Sequence, residues 1–344
     1  MLEDTPLNDD LLALVACPHE HASLARTDDE LRCPHGHVFP ILDGVPFLVR
    51  DDVSHPHWVG QLAVDYARAR SVPAEWLAPP DSEDTIDPFV NEAVGATNGN
   101  LYRSVMGRLP RYPIPEFPIA PGRGRRLLDV GCNWGRWTIA ASEAGFDAVG
   151  VDPSPEAVFA ARRVARRLGR PCRFLVADAR YLPFREGVFD VAFSYSVLQH
   201  LAPEDVELCA RSLARVVTDE ADIRIQMASA LGVRSIYQVA RRGFRRAREF
   251  EVRYWWPNDL VERFAECVGP TTLEAEGYLS LNAQTRDLDL LTRGGAAVVK
   301  VSSALVSLSK VVPGLTYLAD SVWLRSRPQG TKRTADGPPS KEVD

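Results

Sequence analysis

Two short clusters near the start of the chain, CPHEH at residues 17–21 and CPHGH at residues 33–37, repeat the pattern Cys-Pro-His-x-His about sixteen residues apart. Tetrahedral zinc takes four soft or borderline ligands, and paired short-spaced clusters are how small modules supply them. Cys17, His21, Cys33 and His37 make a Cys2His2 set, with His19 and His35 as competing nitrogens. Four protein ligands leave no open position, so such a zinc is structural; a metal-free structural module is the alternative.

A second set of residues points to a small polar ligand. In LLDVGCNWGRWTIA, residues 127–140, an apolar run ends in Asp129 and passes through Gly131 and Gly135 into a helical pattern. Glycines there let the backbone turn sharply and approach a ligand, while the helix N-terminus offers free amide donors. The dinucleotide fingerprint G-x-G-x-x-G is not met. Asp152 closes the run VGVD about twenty residues after Gly131, where an acidic side chain can accept hydrogen bonds from ribose hydroxyls, and Asp178 closes FLVAD.

These motifs, in order and with this spacing over about residues 125–225, resemble those of the class I methyltransferases that use S-adenosylmethionine, whose first motif is D-x-G-x-G-x-G. Asn133 replaces the middle glycine, a tolerable change because Asn enters the left-handed backbone region more readily than most residues. The resemblance implies that Asp129, Gly131, Cys132, Asn133 and Gly135 form the cofactor turn, that Asp152 and Pro153 meet the ribose, and that Asp178 with the Ala179 amide reads the adenine edge. It also implies that Ser194 and Tyr195, within FDVAFSYSVLQHL, line the sulfonium end. The N-terminal segment, with HVFPILDGVPFLV after its second cluster, resembles the zinc domain of methyltransferase-activator subunits and rRNA guanine methyltransferases. Glu20 stands where a second Cys is usual there, so the site uses His21 or has lost its metal.

Methyl transfer to an alcohol benefits from a base. His200 is the single histidine beyond residue 57 and follows the fourth motif directly, which makes it the candidate general base, with Tyr195 second and Tyr254 and Gln199 as lesser candidates. The alternative for His200 is a hydrogen bond to nearby backbone. Residues 234–253 carry Arg234, Arg241, Arg242, Arg245, Arg246, Arg248 and Arg253, interleaved with Tyr237 and Phe244 and followed by Tyr254, Trp255 and Trp256. Arg forks suit phosphates and carboxylates, so the segment reads either as the cover of an anionic or glycosylated acceptor or as a solvated helix face over a core containing both tryptophans.

Positioning these residues requires a particular set of elements. RRLLDVG, FDAVGVD, CRFLVAD, FDVAFSY, IRIQMA and SVWLRSR read as strands, and 135–143, 155–168 and 203–217 as helices; their alternation predicts an α/β fold with a mostly parallel sheet covered on both faces. The resemblance makes this a Rossmann-like sheet of seven strands. The expected organisation is a zinc-ribbon-like module at 9–50, a linker with one helix near 58–70 and a proline-rich stretch at 51–121, and a catalytic domain at 122–327. The domain carries an insert at 230–256 and an apolar helix at 296–312 that serves as lid, dimer face or membrane contact. A polar tail at 328–344 is expected to be disordered.

Composition narrows the partners. A net charge of −6 with 45% hydrophobic and 25% charged residues describes an ordinary acidic globular protein, so nucleic acid is not the expected partner. Six cysteines, two in the N-terminal clusters and four scattered, make no disulfide framework, and with an acidic leader that lacks an apolar stretch they argue for the cytoplasm; the 296–318 run is broken by Lys300, Lys310 and Pro313, so no transmembrane segment is expected. The leading expectation is O-methylation of a small-molecule, glycan or lipid-linked acceptor in a biosynthetic pathway by a chain that is a candidate homodimer. An rRNA or tRNA methyltransferase, suggested by the zinc module and the arginines, and a cofactor-binding scaffold without activity are the rivals.

Overall fold

A computed structural model of the chain describes residues 9–77, 85–119, 121–279 and 282–329. The leader and nearly all of the polar tail lie outside the described residues.

The N-terminal segment forms helix α1 (Asp9–Leu14) and strands β1 (Ala25–Thr27), β2 (Glu30–Arg32), β3 (Val38–Leu42) and β4 (Val45–Leu48), paired as an antiparallel meander. Asp43 and Gly44 join β3 to β4 with φ of 46° and 77°, the two-residue turn whose twist matches the flanking strands. Helices α2 (Trp58–Ala69), α3 (Ala74–Leu77) and α4 (Pro88–Thr97) follow, with a 3-10 turn at Asn100–Val105. Of these, the sequence predicts only α2; the others fall in the stretch expected as a linker. Asp87 caps α4 by accepting from the Phe89 amide at 3.1 Å, and Pro88 occupies the first turn, where a missing N–H costs nothing.

The main body runs β5 (Arg126–Val130), α5 (Arg136–Glu143), β6 (Asp147–Asp152), α6 (Pro155–Arg167), β7 (Arg173–Ala177), β8 (Phe189–Tyr195), α7 (Pro203–Val216), β9 (Val217–Ala228), α8 (Val233–Arg241), α9 (Pro257–Cys267), β10 (Thr271–Gly277), α10 (Arg293–Ser309) and β11 (Ser321–Ser326). Strand order β7-β6-β5-β8-β9-β11-β10 gives the seven-stranded sheet, antiparallel only at β11. The sheet does not stop there. Phe47 and Leu48 of β4 pair in parallel with Val176 and Ala177 of β7, so the N-terminal strands extend it to eleven and the expected separate module is continuous with the main body.

Alternate side chains of the central strands enter two cores. Leu128, Val149 and Ile223 pack toward α1, α7 and α9, while Leu127, Val176 and Phe193 belong to the core that includes α2, α4, α5 and α6. With both faces filled, open space is left at the carboxyl ends of the strands. Between β5 and β8 the chain changes its direction of travel across the sheet, the place where α/β folds bind ligands.

Candidate active site

The turn after β5 is built on two buried carboxylates. Asp129 is 1% exposed and accepts from Thr138 Oγ1 at 2.6 Å; burial pushes its carboxyl up to about 7. Gly131 has φ 77°, and a Cβ there would meet the Val197 side chain at 2.3 Å. Asn133 takes φ 47° in place of the usual glycine. Its side-chain oxygen accepts from the Trp134 amide at 2.8 Å, and its own amide donates to Asp152 Oδ2 at 2.9 Å. Ser154 donates to the other Asp152 oxygen at 2.8 Å; burial raises the Asp152 carboxyl to about 6 against these two bonds.

A cavity of about 940 Å3 opens over this turn. Of the residues expected to hold a cofactor, Gly131, Asn133, Asp152, Pro153, Asp178, Ala179 and Tyr195 line it. Asp129, Cys132, Gly135 and Ser194 are not among its lining residues. Asp129 lies under the turn, Cys132 packs against Gly150, and Gly135 packs against Ala161 and Phe174 at the start of α5. Ser194 is fully buried and donates to the Val130 carbonyl at 2.8 Å, which corrects its expected place; Ser196, at φ 65°, lines the cavity instead.

Asp178 lines the cavity with several partners of its own. Its oxygens accept the Arg180 amide at 2.9 Å and the Arg180 side chain at 2.7–3.1 Å, and His55 Nδ1 lies 3.5 Å away. Burial works to raise this carboxyl, but the bonds from His55 and Arg180 outweigh it and hold it at about 2. The protein's own donors take up much of this carboxylate's hydrogen-bonding capacity, while Asp178 still lines the cavity beside Ala179. Arg180, its main partner, stands only two residues away in the sequence.

At the other end of the cavity, Tyr195 donates its hydroxyl to Glu276 Oε1 at 2.5 Å. Burial and that carboxylate raise its pKa well above the ordinary tyrosine value, which removes it as a base. His200 lines the cavity with its ring stacked on Phe250 at 4.2 Å. Its Nδ1 lies 2.7 Å from the Phe250 carbonyl, which can only accept, so Nδ1 carries the proton and Nε2 is the basic nitrogen. Burial lowers its pKa, with Arg253 and His57 adding to the effect against the Phe250 bond. His55 and His57 line the cavity too, although the sequence singles out only His200 among the histidines as a candidate base.

Arg234, Arg241, Arg242 and Arg245 line the cavity, while Arg246, Arg248 and Arg253 are not among its lining residues. Arg245 makes a two-pronged pair with Glu251 at 2.6 Å, and Arg242 lies over the Tyr254 ring at 5.5 Å. Nη1 of Arg234 and Nε of Arg242 are buried without a hydrogen-bond partner among the described residues. Trp255 is buried in the core but Trp256 is 58% exposed. Arg136, unremarked in the sequence, is 5% exposed; none of its guanidinium nitrogens has a hydrogen-bond partner among the described residues, and Asp287 Oδ2 lies 3.9 Å away.

The N-terminal clusters converge, with one substitution. Ligand atoms of Cys17, Glu20, Cys33 and His37 lie within 4.8 Å of one another. His21 is not in this group: it sits at φ 61°, with its amide bonded back to the Cys17 carbonyl at 2.8 Å. The expected Cys2His2 set is therefore corrected to two thiols, one imidazole and one carboxylate.

Comparison with known proteins adds the following. A family model described as a methyltransferase domain matches residues 127–220. Ajmaline N-methyltransferase of Rauvolfia serpentina is 34% identical over 142 residues, 40% of this chain and 47% of that one. A ubiquinone biosynthesis O-methyltransferase of Azorhizobium caulinodans is 31% identical over 214 residues, 62% of this chain and 77% of its own. The solved structure of Haemonchus contortus phosphoethanolamine N-methyltransferase 2 in complex with S-adenosyl-L-methionine aligns with a TM-score of 0.43 and 18% identity, over 70% of this chain and 57% of that one. The chain spans about half the length of the first curated relatives it matches.

Proposed function

The chain belongs to the class I S-adenosylmethionine-dependent methyltransferases, and we propose that its cavity binds S-adenosylmethionine and an anionic small-molecule, glycan or lipid-linked acceptor for O-methylation. The observation that carries this reading is that one cavity is lined both by the Gly131, Asn133 and Asp152 turn and by His200 with four arginines.

The residues present fit the cofactor. Each Asp152 oxygen accepts one backbone amide and keeps a lone pair for a ribose hydroxyl. Ala179 backbone would read the adenine edge, and the turn from Gly131 to Asn133 would hold the amino-acid end. When bound, S-adenosylmethionine supplies a methyl group already activated by its sulfonium.

The chain then has to align the acceptor, exclude water and take a proton. His200, neutral because burial lowers its pKa, accepts the acceptor proton at Nε2, while the Phe250 carbonyl fixes its tautomer. An acidic group on the acceptor would satisfy the unpartnered guanidinium nitrogens of Arg234 and Arg242. The same arginines favour RNA as a second reading, against which the net charge of −6 weighs. The test is transfer of label from methyl-tritiated S-adenosylmethionine to hydroxylated aromatic and sugar acids and to their neutral esters. Label in the acids and not in the esters is expected; label in ribosomal or transfer RNA alone would overturn the assignment.

We also infer that Cys17, Glu20, Cys33 and His37 hold a structural zinc. The donor set suits that ion, and its four protein ligands would complete a tetrahedron. Elemental analysis of protein purified without chelators should find zinc in proportion to chain, lost in Cys33→Ser; zinc-free protein that folds normally would leave the cluster as a hydrogen-bonded remnant.

A further inference from the structure

Helix α8 is amphipathic in the inverse sense. Arg234, Gln238 and Arg241, spaced i, i+4 and i+7, line the cavity together with Arg242 at the helix C-cap. Val233, Ile236 and Tyr237, spaced i, i+3 and i+4, occupy a different arc of the helix and are 67%, 51% and 60% exposed. A surface helix ordinarily buries its apolar stripe and solvates its polar one. Here the polar stripe walls the cavity and the apolar stripe is uncovered.

Further apolar side chains are exposed in the neighbouring segments. Phe244, just past the helix, is 75% exposed. Asp320 accepts from the Ser235 amide at 2.8 Å and the Leu279 amide at 2.6 Å, which pins the first turn of α8 next to the chain leaving the 3-10 turn Pro313–Leu318. Tyr317 and Leu318 in that turn are exposed as well. Exposed apolar side chains gathered on one element in this way mark an interaction site.

Charge selects the occupant. Residues 233–253 contain seven arginines and two glutamates in a chain whose net charge is −6; Arg245 and Glu251 cancel each other, and Arg246 and Arg248, which do not line the cavity, are exposed next to Phe244. A second copy docking through a two-fold contact would set this cationic segment against itself. Anionic lipid complements it: apolar side chains enter the headgroup boundary while guanidinium groups meet phosphates. We propose that α8 and the segment to Phe250 dock the protein on the surface of an anionic bilayer. The inference rests on the exposed arc of α8 and not on the reading of the cavity.

Flotation of the full chain with vesicles of phosphatidylglycerol and phosphatidylcholine in equal parts tests it, with phosphatidylcholine vesicles as comparison. The protein should float with the mixed vesicles and bind neutral ones at least about tenfold less. Ile236→Glu/Phe244→Glu should lose binding by about tenfold or more, as expected when apolar side chains of this size are withheld from the contact. Ile236→Ser/Phe244→Ser should lose it in the same direction, and Leu208→Glu, an exposed position on α7, should float like the parent. All three should melt as the parent does and retain S-adenosylhomocysteine binding. A parent chain that stays at the bottom of the gradient, or an Ile236→Glu/Phe244→Glu chain that floats normally, would refute the docking. So would a dimer that Ile236→Glu dissociates without any flotation, which would give this face to a second copy.

Discussion

A histidine serves as a base only if one ring nitrogen is both unprotonated and free, and the Phe250 carbonyl arranges this for His200 by claiming Nδ1–H. Because burial lowers its pKa, activity should rise with pH through a midpoint below the ordinary histidine value and stay flat above it. His200→Asn should remove that acidic limb and cut kcat by about 10²–10⁴; an unchanged profile would return His200 to a purely structural role. Asp129 makes a separate pH prediction. Its carboxyl titrates near 3.8 when unfolded and about 7 when folded, so the native state binds the extra proton between those values and stability falls as pH rises through the window. Melting temperatures of Asp129→Asn should therefore drop less between about pH 5 and pH 8 than those of the parent; parallel curves would show that Asp129 does not titrate there. At this scale the sequence led to Gly131, Asn133, Asp152 and His200. It misplaced Ser194 because a period of two assigns strand faces but does not say which residue at the strand end meets the ladder and which meets the cavity. It missed His55 and His57 because they are far from the motifs in sequence and reach the cavity through tertiary packing.

Elements in the motif region were the most legible part of the chain. Strands β5 to β8 and helices α5 to α7 lie within a residue or two of their expected limits, since apolar runs and amphipathic helices alternate there without interruption. Helix α4 was overlooked although Asp87-Pro88 is a start signal, because its apolar pattern is short and its last turn carries Gly95. That turn belongs to the site: Gly95, Ala96 and Thr97 line the cavity, and Thr97 accepts from Trp134 Nε1 at 3.3 Å. The junction of β5 with its loop can be tested by Gly131→Ala. Positive φ and the Val197 contact together should cost about 2–4 kcal/mol in urea unfolding, and adding Val197→Ala should restore only the steric part. Full recovery by Val197→Ala would mean that the left-handed backbone imposes no cost.

For the molecule as a whole, the seven-stranded sheet was foreseeable from the motifs, but its continuation through β4 was not, because no local pattern announces a parallel pairing between Phe47 and Val176. The pairing makes the N-terminal segment part of one continuous sheet and core, for which a single cooperative body is the expectation. Phe47 is fully buried, and Phe47→Ala should lower stability by about 3–5 kcal/mol within a single unfolding transition; a separate early transition confined to residues 9–50 would contradict the continuous sheet. The same body brings the β5 turn, His200 and the α8 arginines around one cavity, and the account stands or falls on what that cavity binds. The most direct measurement is calorimetric titration of the purified chain with S-adenosylhomocysteine. Micromolar binding that Asp152→Ala weakens by at least about a hundredfold, the loss of a paired set of carboxylate hydrogen bonds, is the predicted result. A folded parent that releases no heat and binds nothing, or an Asp152→Ala chain that binds as tightly as the parent, would contradict it.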